Sequence, residues 1–209
     1  MTALAHKQVS DIEAFPIRQG VFVAVAGPSG GGKDSVMDYA RRHLGTLEGS
    51  ITFARRIVTR PAEAGGEDHD TLDEARFARE RAAGRFALSW RANGLGYALP
   101  ASLDAVMREG GVVVANVSRG AMPRIAERYA NVRPVIITAP REILAERLVR
   151  RGRESRKQVL ARLARAGDAE LVVEGAIEID NSGPLEIAGE RFLDILRRAA
   201  AWSDVCDMV

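Results

Sequence analysis

The sequence predicts an α/β domain in which a parallel sheet is flanked by helices, with a small α+β insertion. Three features of the chain imply it. Val21–Ala26 is an unbroken apolar run of strand length, as expected of a strand buried on both faces. Gly27 to Gly32 is a glycine-rich stretch that leads into Val36, Met37, Ala40 and Leu44 at helical spacing. The apolar runs Val112–Val117 and Val135–Thr138 are flanked by helical patterns, and strands that alternate with helices pair in parallel.

Taken in order, residues 1–20 lack periodicity and read as a tail, and a single domain is expected over 21–200. The first helix stops at Gly45. Thr52–Thr59 reads as one strand. Thr71 and Glu74 form a capping box opening a helix that Gly84 ends. Phe86–Arg91 and Leu95–Leu99 are strands joined by the hairpin dipeptide Asn93-Gly94. These pieces define the insertion, about 51–100. Ser102–Glu109 reads as a capped helix, and Pro140 opens another that buries Ile143, Leu144 and Leu148. Ile177–Ile179 is a short strand, Glu186–Arg198 an amphipathic helix, and 201–209 a C-terminal tail.

The 209 residues suit one domain, and a composition 46% hydrophobic and 28% charged excludes a disordered chain. The longest apolar runs fall far short of the ~20 residues of a membrane span. Residues 1–20 carry Asp11, Glu13 and Arg18 and no apolar stretch resembling a signal peptide. Cys206 is the only cysteine, which excludes an intramolecular disulfide and a cysteine metal cluster and fits a reducing cytoplasm. A formal net charge of +2 does not demand a nucleic-acid partner. Nothing in the sequence sets an oligomeric state.

Gly27-Pro28-Ser29-Gly30-Gly31-Gly32-Lys33 matches G-x-x-x-x-G-K, and it lies between a predicted strand and a predicted helix, the setting of a phosphate-binding P-loop. Glycines there let successive backbone N–H groups close on phosphate oxygens. The helix N-terminus adds partial positive charge at the same point, and Lys33 reaches the β- and γ-phosphates. The residue after the lysine departs from the motif: Asp34 stands where a Ser or Thr hydroxyl holds Mg²⁺, with Ser35 behind it. Either Asp34 replaces the hydroxyl as a ligand, or it caps the helix and Ser35 holds the metal. The strand that should end in a metal-binding acid reads Asn116-Val117-Ser118-Arg119, without a carboxylate. The first alternative would explain that absence, the loop supplying the missing charge.

Gly27–Lys33, Thr59-Arg60-Pro61, Leu88-Ser89-Trp90 with Gly96-Tyr97, and Arg147-Leu148 with Arg151-Gly152-Arg153-Glu154-Ser155 together resemble the guanylate kinase family of P-loop kinases, over roughly residues 21–196. The resemblance implies a P-loop kinase fold with a substrate-binding insertion, a helical lid at about 147–165, ATP as co-substrate and Mg²⁺. It places Arg147, Arg151, Arg153 and Arg162 on the lid, closing over ATP, and Asn181 near the adenine. Arg56, Arg60 and Arg119 are candidates to grip the phosphates of a small acceptor, with Tyr97 adding a hydroxyl.

Two departures narrow the acceptor. Guanylate kinases carry a guanine-reading carboxylate where this chain has Ser89, and acids at the strand end where it has Asn116. Asn116, Ser118 and Arg119 suit sugar hydroxyls and phosphate better. Within the family the motifs resemble the branch that phosphorylates ribose 1,5-bisphosphate in phosphonate breakdown. The rival expectations are a guanylate kinase and a guanylate-kinase-like interaction module that has lost catalysis.

Overall fold

The structure, a computed structural model, describes residues 16–60, 69–150 and 173–206. Five strands form the central sheet: β1 (Val21–Ala26), β2 (Ile51–Phe53), β7 (Val112–Asn116), β8 (Val132–Thr138) and β9 (Ile177–Asp180). Their spatial order is β2-β7-β1-β8-β9, and every neighbouring pair is parallel. β1 lies at the centre with β7 and β8 on either side, so the crevice where the strand order reverses opens beyond its C-terminal end.

The alternation of side chains along β1 builds two cores. Val21, Val23 and Val25 pack with Val36, Met37 and Ala40 of α1 (Lys33–Arg42) and with Phe192, Leu193 and Leu196 of the closing helix. Phe22, Ala24 and Ala26 face the other way, against Leu103 and Met107 of α3 (Leu103–Arg108), Ile125 of α4 (Met122–Arg128) and Tyr129. All six β1 side chains are fully buried. Burying a side chain such as Val or Phe contributes about 1.5–3 kcal/mol, so this strand fixes both layers at once.

A second sheet, in the order β4-β3-β6-β5, is made of β3 (Arg56–Val58), β4 (His69–Thr71), β5 (Phe86–Ala92) and β6 (Leu95–Pro100). The Asn93-Gly94 turn has φ of 50° and 77°, the left-handed pair of a two-residue hairpin. Helix α2 (Glu74–Ala82) precedes β5. Leu88 and Trp90 of β5 and Leu99 of β6 join the core that contains Phe22 and Ala24, which seats this sheet on the central one.

Several expectations need correction. The strand expected over Thr52–Thr59 is two strands in different sheets. Ala54 N–H still donates to Val114 O of the central sheet at 2.8 Å, and the chain then turns away at the exposed Arg55, which is ion-paired to Asp70 at 2.9 Å. The insertion therefore begins at β3, after β2 has joined the central sheet. Thr71 does not cap α2, because its backbone belongs to β4; Asp73 is the cap and accepts from Arg76 N–H at 2.7 Å. Ser102 already has helical backbone angles, incompatible with the extended geometry of a side-chain N-cap, and it makes no capping bond. The last helix, α6, runs Leu185–Cys206, beyond the expected tail boundary at 200. At the other end Ile17 pairs with Tyr129, its N–H donating to Arg128 O at 2.9 Å.

β8 begins at Val132, earlier than the apolar run indicates. Pro134 interrupts the pattern but is tolerated because pairing with β9 starts only at Val135. Helix α5 (Arg141–Arg150) starts after Pro140, whose carbonyl accepts from Leu144 N–H at 3.0 Å.

One buried polar network ties α3 to α4. Asp104 is only 6% exposed; Tyr129 Oη donates to it at 2.8 Å and the Arg128 guanidinium grips both of its oxygens. Burial pushes the Asp104 carboxyl up, but the bonds from Arg128 and Tyr129 and the charge of Arg128 outweigh it and hold it below the usual carboxylate range. Burial and Asp104 push the Tyr129 phenol up, so it stays a donor at neutral pH. A depressed carboxyl contributes stability above its unfolded pKa, and that contribution is lost as pH falls through the folded value. Asp104→Ala should cost about 1–3 kcal/mol at pH 7 by stranding buried donors. In urea melts the gap between wild type and variant should shrink as pH falls below about 4.

Candidate active site

The glycine loop leaves the C-terminal end of β1 and enters α1, so its backbone lies over the crevice beside β7 and β8. Gly27, Gly31 and Gly32 are forced by close approach, and the first and last of them also have a left-handed backbone. Gly27 has φ of 144°, and a Cβ there would overlap the carbonyl oxygen of Ile137 in β8. Gly32, the N-cap of α1, has φ of 85°, and a Cβ would overlap the amide nitrogen of Asn181. Both positions combine a left-handed backbone with contact to another chain segment. Lys33 opens the helix, and its Nζ donates to Gly27 O at 3.0 Å and Pro28 O at 3.1 Å, which holds the ammonium at the mouth of the loop. Ser29 is exposed.

Asn181, expected at the adenine, is 4% exposed and sits behind the loop, its Nδ2 donating to Gly31 O at 2.8 Å. This seating has a simple cause. Asn181 N–H continues the β9 ladder to Thr138 O at 2.8 Å, and this places its side chain against the loop. Arg147, expected on the reacting phosphates, is bound to main chain: Nη2 donates to Asn181 O at 2.8 Å, with a longer contact from Nη1 to Gly30 O at 3.4 Å. Arg147 thus joins α5, the loop and the end of β9. Of the expected lid only Arg147–Arg150 lies within the described residues; Arg151, Arg153 and Arg162 lie outside them.

Asp34, second in α1, is half-buried and accepts from Asn116 Nδ2 at 2.8 Å, while Ser35 is exposed. The loop acid and the last residue of β7 are therefore in contact across the sheet end. Ser118 and Arg119, both half-buried, follow at once. Among the described residues no group of three or more His, Cys, Asp or Glu could cage a metal. A lone carboxylate beside a phosphate cradle still fits Mg²⁺, which binds through one or two carboxylates plus the phosphates of the substrate.

On the insertion sheet Arg56, Tyr97 and Trp90 form a row. The Arg56 guanidinium lies 5.6 Å from the Tyr97 ring centre, and Tyr97 stacks on Trp90 with centroids 5.6 Å apart and planes 11° apart. Trp90 is the member that motif reading did not assign. The hairpin signal could have found it, because counting back from Asn93-Gly94 sets Trp90 opposite Tyr97. Arg124, also not foreseen, donates to Ser89 O at 2.8 Å and ties β5 to α4. Arg60 keeps its Nε buried without a hydrogen-bond partner.

A parallel sheet with the strand order seen here, a glycine loop cradled at its central strand and a lysine at the helix start define a P-loop phosphotransferase-type domain. Comparison with known proteins narrows this. Residues 23–172 match the sequence model of the AAA domain. The chain is 73% identical over 195 residues to ribose 1,5-bisphosphate phosphokinase PhnN of Chelativorans sp. (strain BNC1), covering 93% of each chain. It is 48% identical over 182 residues to the protein of the same name from Brucella melitensis biotype 2, covering 87% of this chain and 94% of that one. The chain belongs to the ribose 1,5-bisphosphate phosphokinase family. In fold it is similar to the crystal structure of guanylate kinase from Anaplasma phagocytophilum, with a TM-score of 0.61, 20% identity and 86% of each chain covered.

The Asn181 amide is the loop's support from behind. Asn181→Ala should weaken binding of a non-hydrolysable ATP analogue about tenfold, the worth of one buried hydrogen bond lost with its partner left unpaired. Calorimetric titration checks this, with circular dichroism expected unchanged.

Proposed function

We propose that this chain is an ATP- and Mg²⁺-dependent kinase that phosphorylates ribose 1,5-bisphosphate at its C1 phosphate, giving 5-phospho-α-D-ribose 1-diphosphate and ADP. The observation that carries the reading is a complete phosphate loop beside a strand end, Asn116 to Arg119, that bears no acid, with Ser89 standing where a guanylate kinase has its guanine-reading carboxylate. The names of the relatives support the same acceptor.

In this reading the backbone N–H groups of Gly30–Lys33 and the N-terminus of α1 hold the triphosphate. Lys33 exchanges its bonds to the Gly27 and Pro28 carbonyls for the β- and γ-phosphate oxygens. Gly27, Pro28, Ser29 and Ser35 complete the shell of the loop. Bound Mg²⁺, held from the protein side by Asp34 or Ser35, would neutralise charge on the phosphates.

A C1-phosphate oxygen of the acceptor attacks the γ-phosphorus. The new P–O bond forms as the bond to the β-phosphate oxygen breaks, and ADP leaves with that electron pair. No general base is required, because a phosphate monoester is already mostly ionised at pH 7, its second pKa being ~6. Arg56, Arg60 and Arg119 hold the acceptor's two phosphates, with the orphaned Nε of Arg60 supplying a buried donor. Tyr97 and Ser118 meet the sugar. Arg151, Arg153 and Arg162 close over ATP from the lid. The product would serve a cytoplasmic pathway of phosphonate breakdown.

Given ATP and Mg²⁺, the protein should phosphorylate ribose 1,5-bisphosphate in preference to GMP and AMP, and phosphorus NMR should show a diphosphate at C1. Preference for GMP overturns the reading. Lys33→Met should lower kcat about 10²–10³-fold by removing a charge aimed at the moving phosphoryl group.

A further inference from the structure

In P-loop enzymes the cation is held by a hydroxyl on the residue after the loop lysine and by a carboxylate at the end of a neighbouring strand. This chain has the two chemistries exchanged: the acid, Asp34, is on the loop and a neutral residue, Asn116, ends the strand. The structure shows that the two positions are not independent. Asn116 is 5% exposed, and its Nδ2 donates to Asp34 Oδ1 at 2.8 Å. An acid at 116 would set two carboxylates against each other at that distance, an unfavourable contact of like charges. An amide instead supplies a donor to the loop carboxylate.

We propose that Asp34 is the direct protein ligand of the Mg²⁺ that accompanies ATP, and that Asn116 is a positioning residue which orients its carboxylate. The inference rests on the MgATP-kinase reading above. It decides between the two loop candidates, because Asp34 is half-buried and engaged at the strand end whereas Ser35 is exposed. The exchange also changes how nucleotide and metal depend on each other. A hydroxyl is indifferent to incoming phosphates, but a carboxylate repels them until a cation lies between. The usual P-loop hydroxyl ligand would therefore tolerate metal-free ATP better than this loop does.

The test is calorimetric binding of AMP-PNP, a non-hydrolysable ATP analogue, with excess Mg²⁺ and again with EDTA. Wild type, Asp34→Ser, Asn116→Ala and the double variant Asp34→Ser/Asn116→Asp are compared, with melting curves to confirm folding. Mg²⁺ should strengthen binding to wild type strongly. Asp34→Ser should lose about tenfold or more of that enhancement while binding AMP-PNP in EDTA at least as well as wild type. Asn116→Ala should lower the enhancement roughly 10–100-fold, the cost seen when a residue orienting a metal ligand is removed. The double variant, which returns the acid to the strand, should recover most of the enhancement.

Should Asp34→Ser fail to fold, Asp34→Asn, nearly isosteric, replaces it with the same expectation. Full retention of the Mg²⁺ enhancement in a folded Asp34 variant, or its loss in Ser35→Ala alone, overturns the assignment. Absence of AMP-PNP binding by the wild type with and without Mg²⁺ overturns the kinase reading itself and is a distinct outcome.

Discussion

The close approach of the glycine loop to the ends of β8 and β9 is the constraint on which the site depends. A Cβ at Gly27 would strike the Ile137 carbonyl, and one at Gly32 would strike the Asn181 amide. With those contacts satisfied, the loop is held from behind by Asn181 and from the side by Arg147. Lys33, the first residue of α1, keeps its ammonium on the Gly27 and Pro28 carbonyls at the mouth of the loop. A loop of the same composition with no backing would have to lose far more conformational freedom on binding a nucleotide. Asn181 and Arg147 thus support the loop through contacts to its main chain.

The proposed acceptor side is built differently. Its wall is a separate sheet, seated through Leu88, Trp90 and Leu99 on the core face opposite α1 and tied by Arg124 to α4. Arg56 lies over Tyr97, which is backed by Trp90, so a cation is presented on a rigid aromatic support rather than at the end of a free side chain. The two halves of the site thus come from different sheets, the loop from β1 of the central sheet and Arg56 and Tyr97 from the insertion.

Asp34 is the acid at the loop, and it is engaged by the buried Asn116. Asp104 belongs to a separate network, where bonds from Arg128 and Tyr129 tie α3 to α4. Burial of a carboxylate serves a structural end in one place and sits beside a phosphate cradle in the other. The Arg128 guanidinium neutralises Asp104, and the Asn116 amide donates to Asp34.

Local pattern made much of the fold legible. The buried strand, glycine loop and helix at 21–44 follow from apolar runs and spacing, and the Asn93-Gly94 turn fixes the whole β5–β6 register. The phosphate loop is legible for the same reason, since its chemistry is contained in consecutive residues. What tertiary structure alone decided involves partners far apart in the chain. Asp34 meets Asn116 across 82 positions, and Asn181 meets Gly31 across 150. The split of 51–59 between two sheets, and the seating of Asn181 behind the loop, likewise depend on which distant strand is near. Periodicity records that a residue is buried; only the assembled sheet determines what it is buried against.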